Sequence, residues 1–332
     1  MMANFNVFSQ SDILSMVNLR DGETKLGEKV TYYNQFTAEE TITAESLQQS
    51  AAKFVLLGIP EDIGVRANYG VGGTHTAWKP ALKALLNLQQ NHFLKGADLL
   101  VLGAFEIPEN NATDVAELRK AVAEIDELVY PIIQTIVTAG KIPVVIGGGH
   151  NNCYPIIKGA ALALKGKINV LNIDAHTDLR NPEEGRHSGN GFSTAIRDGF
   201  LDEYQILGLQ QNYVSEAQLN VISKNSAIKA LYFDDLLKAD KDLYTAAKTF
   251  LKDAKNPLGL EIDLDSISHT LSSAATPSGL TLNEVRKVIL STKQPFSYLH
   301  LCEGAYELND GRQDETIGKT IAYLVCDFMK RR

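Results

Sequence analysis

Three short apolar segments of this chain each lead into side chains that can bind a metal ion. The segments span 141–146, 168–173 and 258–262, and the polar side chains that follow them are His150, Asp174, His176, Asp178, Asp263 and Asp265. Residues at alternate positions of an extended chain point to the same side, so Asp174, His176 and Asp178 converge if the strand or its continuation carries them. Uninterrupted apolar strands are typical of a parallel sheet, and the sites of such sheets lie outside the carboxyl ends of the strands. The pattern therefore predicts an α/β fold with one polar site at that edge.

These six side chains supply four carboxylates and two imidazoles. Carboxylate combined with imidazole suits Mn, Fe, Zn or Ni, whereas Ca and Mg prefer oxygen ligands alone. The carboxylates would repel one another and resist burial unless cations neutralised them. Two divalent ions that share bridging carboxylates meet this demand, so the pattern indicates a binuclear metal centre. Taken by itself, the segment at 174–178 is equally well explained as a strand end whose polar residues continue into a loop.

Strand and helix patterns alternate along most of the chain. The predicted strands are 54–60, 99–104, 141–146, 168–173, 205–209, 228–233, 258–263 and 296–301. The predicted helices are 117–139, 156–164, 215–222, 241–254 and about 315–329, and a capping box opens another at 281. This alternation predicts a mainly parallel sheet with helices on both faces, in one domain of residues 51–332. Residues 1–50 have weak periodicity and are predicted to be an extension that packs on the domain or on a neighbouring subunit.

Charge and composition argue against several classes of protein. The net charge of −8 disfavours a general nucleic-acid-binding protein, because surfaces that bind phosphate are basic. The sequence has no apolar run of about 18 residues for a membrane span and no signal-peptide pattern at its start, so we expect a cytoplasmic protein without membrane contact. Cys153, Cys302 and Cys326 lie far apart, which indicates neither a disulfide framework nor a zinc knuckle.

Three motifs together resemble those of the ureohydrolases. They are Gly-Gly-Gly-His at 147–150, Asp-Ala-His-Thr-Asp at 174–178 and Glu-Ile-Asp-Leu-Asp at 261–265, with smaller matches at 60–64, 188–190 and 276–281. Their order and spacing are similar to those of arginases, agmatinases and formimidoylglutamases over about residues 54–330. The resemblance implies a three-layer α/β/α fold with a central, mainly parallel sheet of about eight strands. It also implies two Mn²⁺ ions per chain, a small amidine or guanidine substrate, and a homo-oligomer that is a trimer or a hexamer.

The same resemblance implies a role for each polar residue. One manganese would be held by His150, Asp174, Asp178 and Asp263, and the other by His176, Asp174, Asp263 and Asp265. Water activated by the two ions would attack an amidine carbon, and Asp178 would accept a proton and pass it to the departing nitrogen. Glu303 matches the family acid that pairs with the cationic amidinium or guanidinium. Considered alone, Glu303 would more often be a solvated charge at a strand end.

Loop residues distinguish between the substrates of the family. Arginases carry a histidine proton shuttle where this chain has Phe192, and the segment at 208–213 lacks the acid that arginases place near the α-amino group. An ammonium without that partner would be costly to bury. The loop after residue 178 instead carries Arg180 and Arg186, which suit a carboxylate, and Asn190 joins them as a predicted substrate contact. The resemblance therefore favours hydrolysis of N-formimidoyl-L-glutamate to L-glutamate and formamide, a step of histidine degradation.

Other interpretations stay open from the sequence. Arginase or agmatinase activity, with release of urea, is the runner-up, and an inactive ureohydrolase fold that only binds a partner is a third. The triple glycine could also cradle a phosphate, although neither a P-loop lysine nor a GxGxxG motif accompanies it. Asn151 and Ser268 depart from the usual family pattern beside the first and third motifs. No role is assigned to the remaining histidines, which are His75, His92, His187, His269 and His300.

Overall fold

A ten-stranded sheet forms the centre of the molecule. The structure, a computed structural model, describes residues 5–39, 41–239, 243–252 and 254–331. The strands are β1 Phe5–Val7, β2 Thr31–Tyr32, β3 Phe54–Gly58, β4 Leu99–Phe105, β5 Ile142–Ile146, β6 Ile168–Ile173, β7 Leu201–Leu209, β8 Ile228–Tyr232, β9 Leu258–Asp263 and β10 Phe296–Cys302. All eight strands predicted from the apolar segments are present, with ends that differ by a few residues.

Eight of these strands form a continuous parallel sheet. Their order is β4-β3-β5-β10-β9-β6-β7-β8, with parallel pairing at each step. The two short N-terminal strands both pair with β4, β1 in antiparallel and β2 in parallel orientation. The prediction of about eight mainly parallel strands is therefore confirmed for the core, and the N-terminal segment adds two strands at one edge.

Helices cover both faces of the sheet. They are α1 Gln10–Leu14, α2 Ala44–Gln48, α3 Ile63–Ala67, α4 Trp78–Leu86, α5 Val115–Thr138, α6 Cys153–Leu164, α7 Gly191–Arg197, α8 Glu216–Lys224, α9 Phe233–Lys238, α10 Leu243–Phe250, α11 Leu282–Ser291 and α12 Ile317–Lys330. The capping box predicted at residue 281 is confirmed, since Thr281 accepts from the Glu284 backbone while the Glu284 carboxylate accepts from the Thr281 backbone. Of the helix predicted at 241–254, residues 241, 242 and 253 lie outside the described part of the chain.

Two hydrophobic clusters separate the layers. Along β5, Val144 and Ile146 belong to one cluster, which includes α4, α10, α11 and α12. Val145, between them, belongs to the other, which includes α5, α6 and α7. Because successive strand residues face opposite sides, an uninterrupted apolar strand fills both interfaces at once. Each such side chain contributes about 1.5–3 kcal/mol by its burial. The predicted three-layer α/β/α fold is confirmed.

The described N-terminal residues pack against this domain. Ile13 and Leu26 are buried in the cluster that includes α4. Asn6 pairs with Ala104 where β1 joins β4. Residues 1–4 and 40 lie outside the described part of the chain, and none of the described helices is long and apolar enough to cross a membrane.

The sheet order brings the motif-bearing strands together. β5, β10, β9 and β6 are consecutive neighbours, and all four run in the same direction. Their carboxyl ends therefore meet at one edge of the sheet, where binding sites of parallel α/β proteins form.

Candidate metal centre

A glycine turn after β5 delivers the first histidine. Gly147 and Gly148 have φ of 99° and 75°, a left-handed conformation that glycine adopts without strain. A Cβ atom on Gly148 would lie 2.2 Å from the Asn152 amide nitrogen, so the turn also needs the missing side chain. The buried Glu61 carboxylate accepts from the Gly149 backbone at 2.8 Å and from the Asn152 amide at 2.7 Å. These contacts hold the turn that places His150 beneath the strand ends.

His150 faces three carboxylates. Its Nδ1 atom lies 2.9 Å from Asp178 Oδ2, 3.1 Å from Asp263 Oδ2 and 3.4 Å from Asp174 Oδ2. All four side chains are largely shielded from solvent, with Asp178 the most exposed at 13%. One ligand atom from each residue lies within 4.8 Å of the others, which is a spacing that a single ion can span. This cluster has the composition predicted for the first manganese site.

A second cluster lies beside the first and shares Asp174. His176 Nδ1 is 3.1 Å from Asp265 Oδ2 and 3.6 Å from Asp174 Oδ1. Asp174 thus offers one oxygen to each cluster, as a bridging ligand does. Asp263 is grouped with the first cluster, and its Oδ1 atom accepts from the Asp265 backbone at 2.9 Å. Its bridging role therefore stays a prediction.

The charge and burial of these side chains fit a pair of divalent cations. Burial raises the pKa of Asp263 well above its usual range, and the neighbouring carboxylates of Asp265 and Asp174 act in the same direction. Burial likewise raises the pKa of Asp178. The buried Asp265 Oδ1 atom has no hydrogen-bond partner among the described residues. Cations would stabilise the ionised carboxylates and satisfy this oxygen, and the mixture of oxygen and nitrogen donors suits manganese.

Two acids of the site have unusual backbone conformations. Asp178 and Glu303 have φ of 48° and 62°, in the left-handed region that residues with a side chain seldom occupy. Glu303 follows β10, and its Oε1 atom accepts from the His150 backbone at 2.8 Å. Burial raises the pKa of Glu303 to about 8, with the carboxylates of Asp265 and Asp178 adding to the effect. The strained backbone places both carboxylates at the cavity.

A cavity of about 230 Å³ opens onto the two clusters. Its carboxylate lining consists of Asp178, Asp263, Asp265 and Glu303. Arg180 lines the same cavity, and its guanidinium makes no hydrogen bond or ion pair with any described residue. Tyr213 also lines it and packs on the His176 ring, with centroids 4.9 Å apart. The cavity therefore joins an acidic metal centre to one free cationic side chain.

Arg186 and Asn190, two of the three predicted substrate contacts, do not line this cavity. The Arg186 guanidinium donates to Asp126 at 2.8 and 3.4 Å, to Asn190 Oδ1 at 2.6 Å and to the Asn151 carbonyl at 2.8 Å. The Asn190 amide donates to the Gly185 carbonyl at 2.7 Å. Both side chains are buried and are not among the residues that line the cavity. Their polar atoms are used to hold the loop.

Phe192 does not occupy a proton-shuttle position. It is fully buried, with its ring edge-on to His150 at 5.1 Å and stacked on Tyr204 at 4.3 Å. The side chain supports the back of the His150 ring and does not face the cavity. A position aligned by motif spacing alone can thus point away from the site, because here the direction of α7 decides where the side chain goes.

Sequence analysis missed two buried residues next to the centre. Glu261 and His300 are both fully buried, and the His300 Nδ1 atom lies 2.6 Å from Glu261 Oε2. An available signal was strand periodicity, since Glu261 lies two residues before Asp263 and faces the same side of β9. The pairing of β9 with β10, which places His300 opposite Glu261, could not be known from that pattern.

Comparison with known proteins agrees with this architecture. Residues 52–317 match the model of the Arginase family. The formimidoylglutamase of Geobacillus thermodenitrificans (strain NG80-2) is 30% identical over 294 residues, covering 86% of this chain and 84% of that protein. A second relative, the formimidoylglutamase of Geobacillus sp. (strain WCH70), is 29% identical over 263 residues, with 77% of each protein covered.

Solved structures show the same fold. The formimidoylglutamase from Bacillus subtilis subsp. subtilis str. 168 aligns with a TM-score of 0.74 at 18% identity, covering 94% of this chain and 93% of that one. The Trypanosoma cruzi formiminoglutamase with Mn²⁺ aligns with a TM-score of 0.70 at 18% identity, covering 93% of this chain and 100% of that one. The family match over most of the chain, together with the clustered motif residues, leads to one conclusion: this chain belongs to the arginase family.

Proposed function

We propose that this chain is a binuclear manganese hydrolase that cleaves N-formimidoyl-L-glutamate to L-glutamate and formamide. The observation that carries the substrate choice is the free guanidinium of Arg180 beside the two carboxylate–imidazole clusters. The curated relatives described above carry the name formimidoylglutamase, which agrees with this choice.

The lining of the cavity favours a dicarboxylate over a guanidino substrate with a free amine. N-Formimidoylglutamate has two carboxylates, and its α-nitrogen is part of the amidine, so it needs no partner for an ammonium. Arg180 can pair with one carboxylate through two parallel hydrogen bonds. The carboxylates that line the described cavity all belong to the metal clusters or to Glu303. Arginine or agmatine would bring an ammonium towards Arg180 with no further acid to neutralise it.

The residues of the chain have separate tasks in the reaction. His150, Asp174, Asp178 and Asp263 would hold one Mn²⁺ ion, and His176, Asp174, Asp263 and Asp265 the other. A pair of bound Mn²⁺ ions would supply a nucleophile from water at neutral pH. Asp178 would take a proton from the attacking water and return it to the glutamate nitrogen as the carbon–nitrogen bond breaks.

Glu303 would orient the substrate. Its Oε1 atom is held by the His150 backbone, which fixes the carboxylate at the cavity wall. An amidinium donates its N–H groups to such a carboxylate in a charge-assisted pair. That contact would set the amidine carbon before attack, and a fixed orientation of this kind accounts for a large share of many enzymatic rate enhancements.

A direct comparison of substrates tests this function. Purified chain loaded with Mn²⁺ is assayed for release of formamide from formimidoylglutamate and of urea from arginine and agmatine. We expect the kcat/KM for formimidoylglutamate to exceed the other two values. A larger kcat/KM for arginine or agmatine would overturn the proposed substrate. Absence of activity on all three compounds would overturn the proposed enzymatic function.

Arg180 variants test the substrate contact. Arg180→Leu should lower kcat/KM by about 10- to 150-fold, because a hydrogen bond to a charged group is worth roughly 1.5–3 kcal/mol. Arg180→Lys should retain part of the activity, since the charge remains while the bidentate geometry is lost. Arg197→Leu is the matched control, because Arg197 pairs with Asp198 and does not line the cavity. Equal losses for Arg180→Leu and Arg197→Leu would exclude a specific role.

We further propose that the protein works in the cytoplasm as a homo-oligomer, either a trimer or a hexamer. The proposal follows from the family resemblance and the absence of a membrane-spanning helix in the described residues. Light scattering coupled to size-exclusion chromatography measures the mass directly. A mass of one chain, 36.3 kDa, would contradict it.

A further inference from the structure

A buried carboxylate next to the metal centre collects three polar groups. Glu261 is fully buried in β9. Its Oε1 atom accepts from the Tyr298 hydroxyl at 2.7 Å, and its Oε2 atom lies 2.6 Å from His300 Nδ1. The same Oε2 atom lies 3.6 Å from His150 Nε2. Glu261 thus reaches the back of a metal-ligand histidine without facing the cavity itself.

Strand register builds this network. β9 pairs with β10 so that Glu261 lies opposite His300 and Gly259 lies opposite Tyr298. A Cβ atom on Gly259 would lie 2.3 Å from the Tyr298 ring. Glycine at position 259 therefore leaves room for the Tyr298 ring to lie over β9 and bring its hydroxyl group to Glu261. Three positions on two neighbouring strands are adapted to hold one carboxylate.

His150 needs the partner that this carboxylate can offer. The Nδ1 atom of its imidazole faces the three aspartates, so as a metal ligand the neutral ring must carry its proton on Nε2. That Nε2 atom is buried and has no hydrogen-bond partner among the described residues. Glu261 Oε2, at 3.6 Å, is a charged acceptor within reach of a small ring movement. Metal-binding histidines commonly donate their second N–H to a carboxylate, which sets the tautomer and raises ligand basicity.

We propose that Glu261, held in place by His300 and Tyr298, is a positioning residue that sets the orientation and tautomer of His150 for one of the two metal sites. This inference rests on the proposed binuclear centre and adds residues that do not touch the substrate. It assigns the effect to the site that contains His150 and leaves the His176 site unaffected.

A different use of the same residues is a third metal site. His150, His300 and Cys302 are buried, and their donor atoms lie within 4.8 Å of one another. The His300 Nδ1 atom, however, already contacts Glu261 at 2.6 Å. The positioning network is therefore the better interpretation, and metal stoichiometry separates the two.

Metal titration of Glu261 variants tests the proposal. Full-length wild type, Glu261→Gln and Glu261→Leu are stripped of metal and titrated with Mn²⁺, with binding followed by calorimetry and electron paramagnetic resonance. We expect wild type to bind two Mn²⁺ per chain. In both variants one site should weaken by about 10- to 100-fold, the usual effect of removing the partner of a metal-binding histidine, while the other site keeps its affinity. Glu261→Gln keeps the shape of the side chain if Glu261→Leu fails to fold.

Asp327→Asn is the matched control for loss of a buried carboxylate. Asp327 is 2% exposed, pairs with Arg286 where α11 contacts α12, and does not line the metal-site cavity. It should lower stability and leave both Mn²⁺ affinities unchanged. Nitrogen NMR of histidine-labelled wild type should report an Nε2 proton on His150, and loss of Glu261 should alter that signal selectively.

Three results would overturn the inference. Unchanged affinities at both sites in Glu261→Gln and Glu261→Leu would show that the carboxylate does not act on His150. A third metal per wild-type chain that is lost on replacing Cys302 would favour the alternative site. If the wild-type chain bound no Mn²⁺, the proposed binuclear centre itself would be wrong. That outcome differs from a failure of the Glu261 inference alone, in which the wild type would still bind two Mn²⁺ ions.

Discussion

Replacing Arg186 with methionine tests whether this arginine holds the fold or binds substrate. Its guanidinium makes contacts with Asp126, the Asn190 side chain and the Asn151 carbonyl, and it lies over the Tyr154 ring at 4.8 Å. Methionine retains much of the apolar volume and removes every donor. The variant therefore isolates the polar contacts.

The expected loss of stability follows from burial. The Arg186 and Asp126 side chains are 9% and 3% exposed, so little solvent would replace the lost partner. Removing one member of a buried ion pair typically costs about 3–5 kcal/mol, because the remaining charge stays buried without compensation. Burial raises the pKa of Asp126 to about 6, so at acidic pH the carboxyl group is protonated and carries no charge. The loss of unfolding free energy in Arg186→Met should then lie towards the lower end of this range.

Urea denaturation of Arg186→Met and wild type measures this difference. Arg186→Met/Asp126→Leu should recover most of the free energy of unfolding, since replacing a whole buried pair by apolar side chains is often neutral. Arg197→Met, whose wild-type side chain is 42% exposed, should change the free energy of unfolding by less than about 1 kcal/mol. An unchanged free energy of unfolding in Arg186→Met with a strongly raised KM would refute the structural role and restore direct substrate contact.

Three further changes give distinct results. Gly259→Ala should cost about 1–3 kcal/mol of unfolding free energy because its Cβ would collide with the Tyr298 ring, whereas Gly166→Ala, which meets no atom within 4 Å, should not. Chelation of the bound metal should lower the midpoint of thermal unfolding, and added Mn²⁺ should restore it. A free Mn²⁺ concentration of 100 times Kd raises the free energy of unfolding by about 2.7 kcal/mol per site. The hydrogen bond to Asp62 raises the pKa of His75 above 6.5. The His75–Asp62 pair therefore stabilises the folded protein fully below pH 6.5, and this contribution to the free energy of unfolding disappears as pH rises through the raised pKa. Wild type should therefore exceed His75→Leu in urea midpoint at pH 5.5 by more than at pH 9, and equal differences at both pH values would contradict this.

Much of the metal centre was predictable because it depends on rules that act along a strand. Asp174 and Asp178 come within reach of His150 since parallel strands share one edge for their carboxyl ends. The eight strands of the core could be predicted from apolar runs, because each strand is buried on both faces of the sheet. Short helices such as α3 and α9 were missed, because five or six residues carry little periodicity and their stability comes from tertiary packing.

By itself the sequence determined the sheet, because alternation and parallel pairing leave few other arrangements, and its three motifs indicated the family and the six side chains of the metal clusters. Only the tertiary structure decided which arginine faces the cavity. The Arg180 guanidinium has no hydrogen-bond or ion-pair partner among the described residues, whereas Arg186 pairs with an acid on α5, 60 residues earlier in the chain. It also decided that Glu261 and His300 meet, since the register between β9 and β10 joins segments far apart in sequence. Side-chain direction in loops and contacts between distant strands depend on packing of the whole chain, which no local pattern encodes.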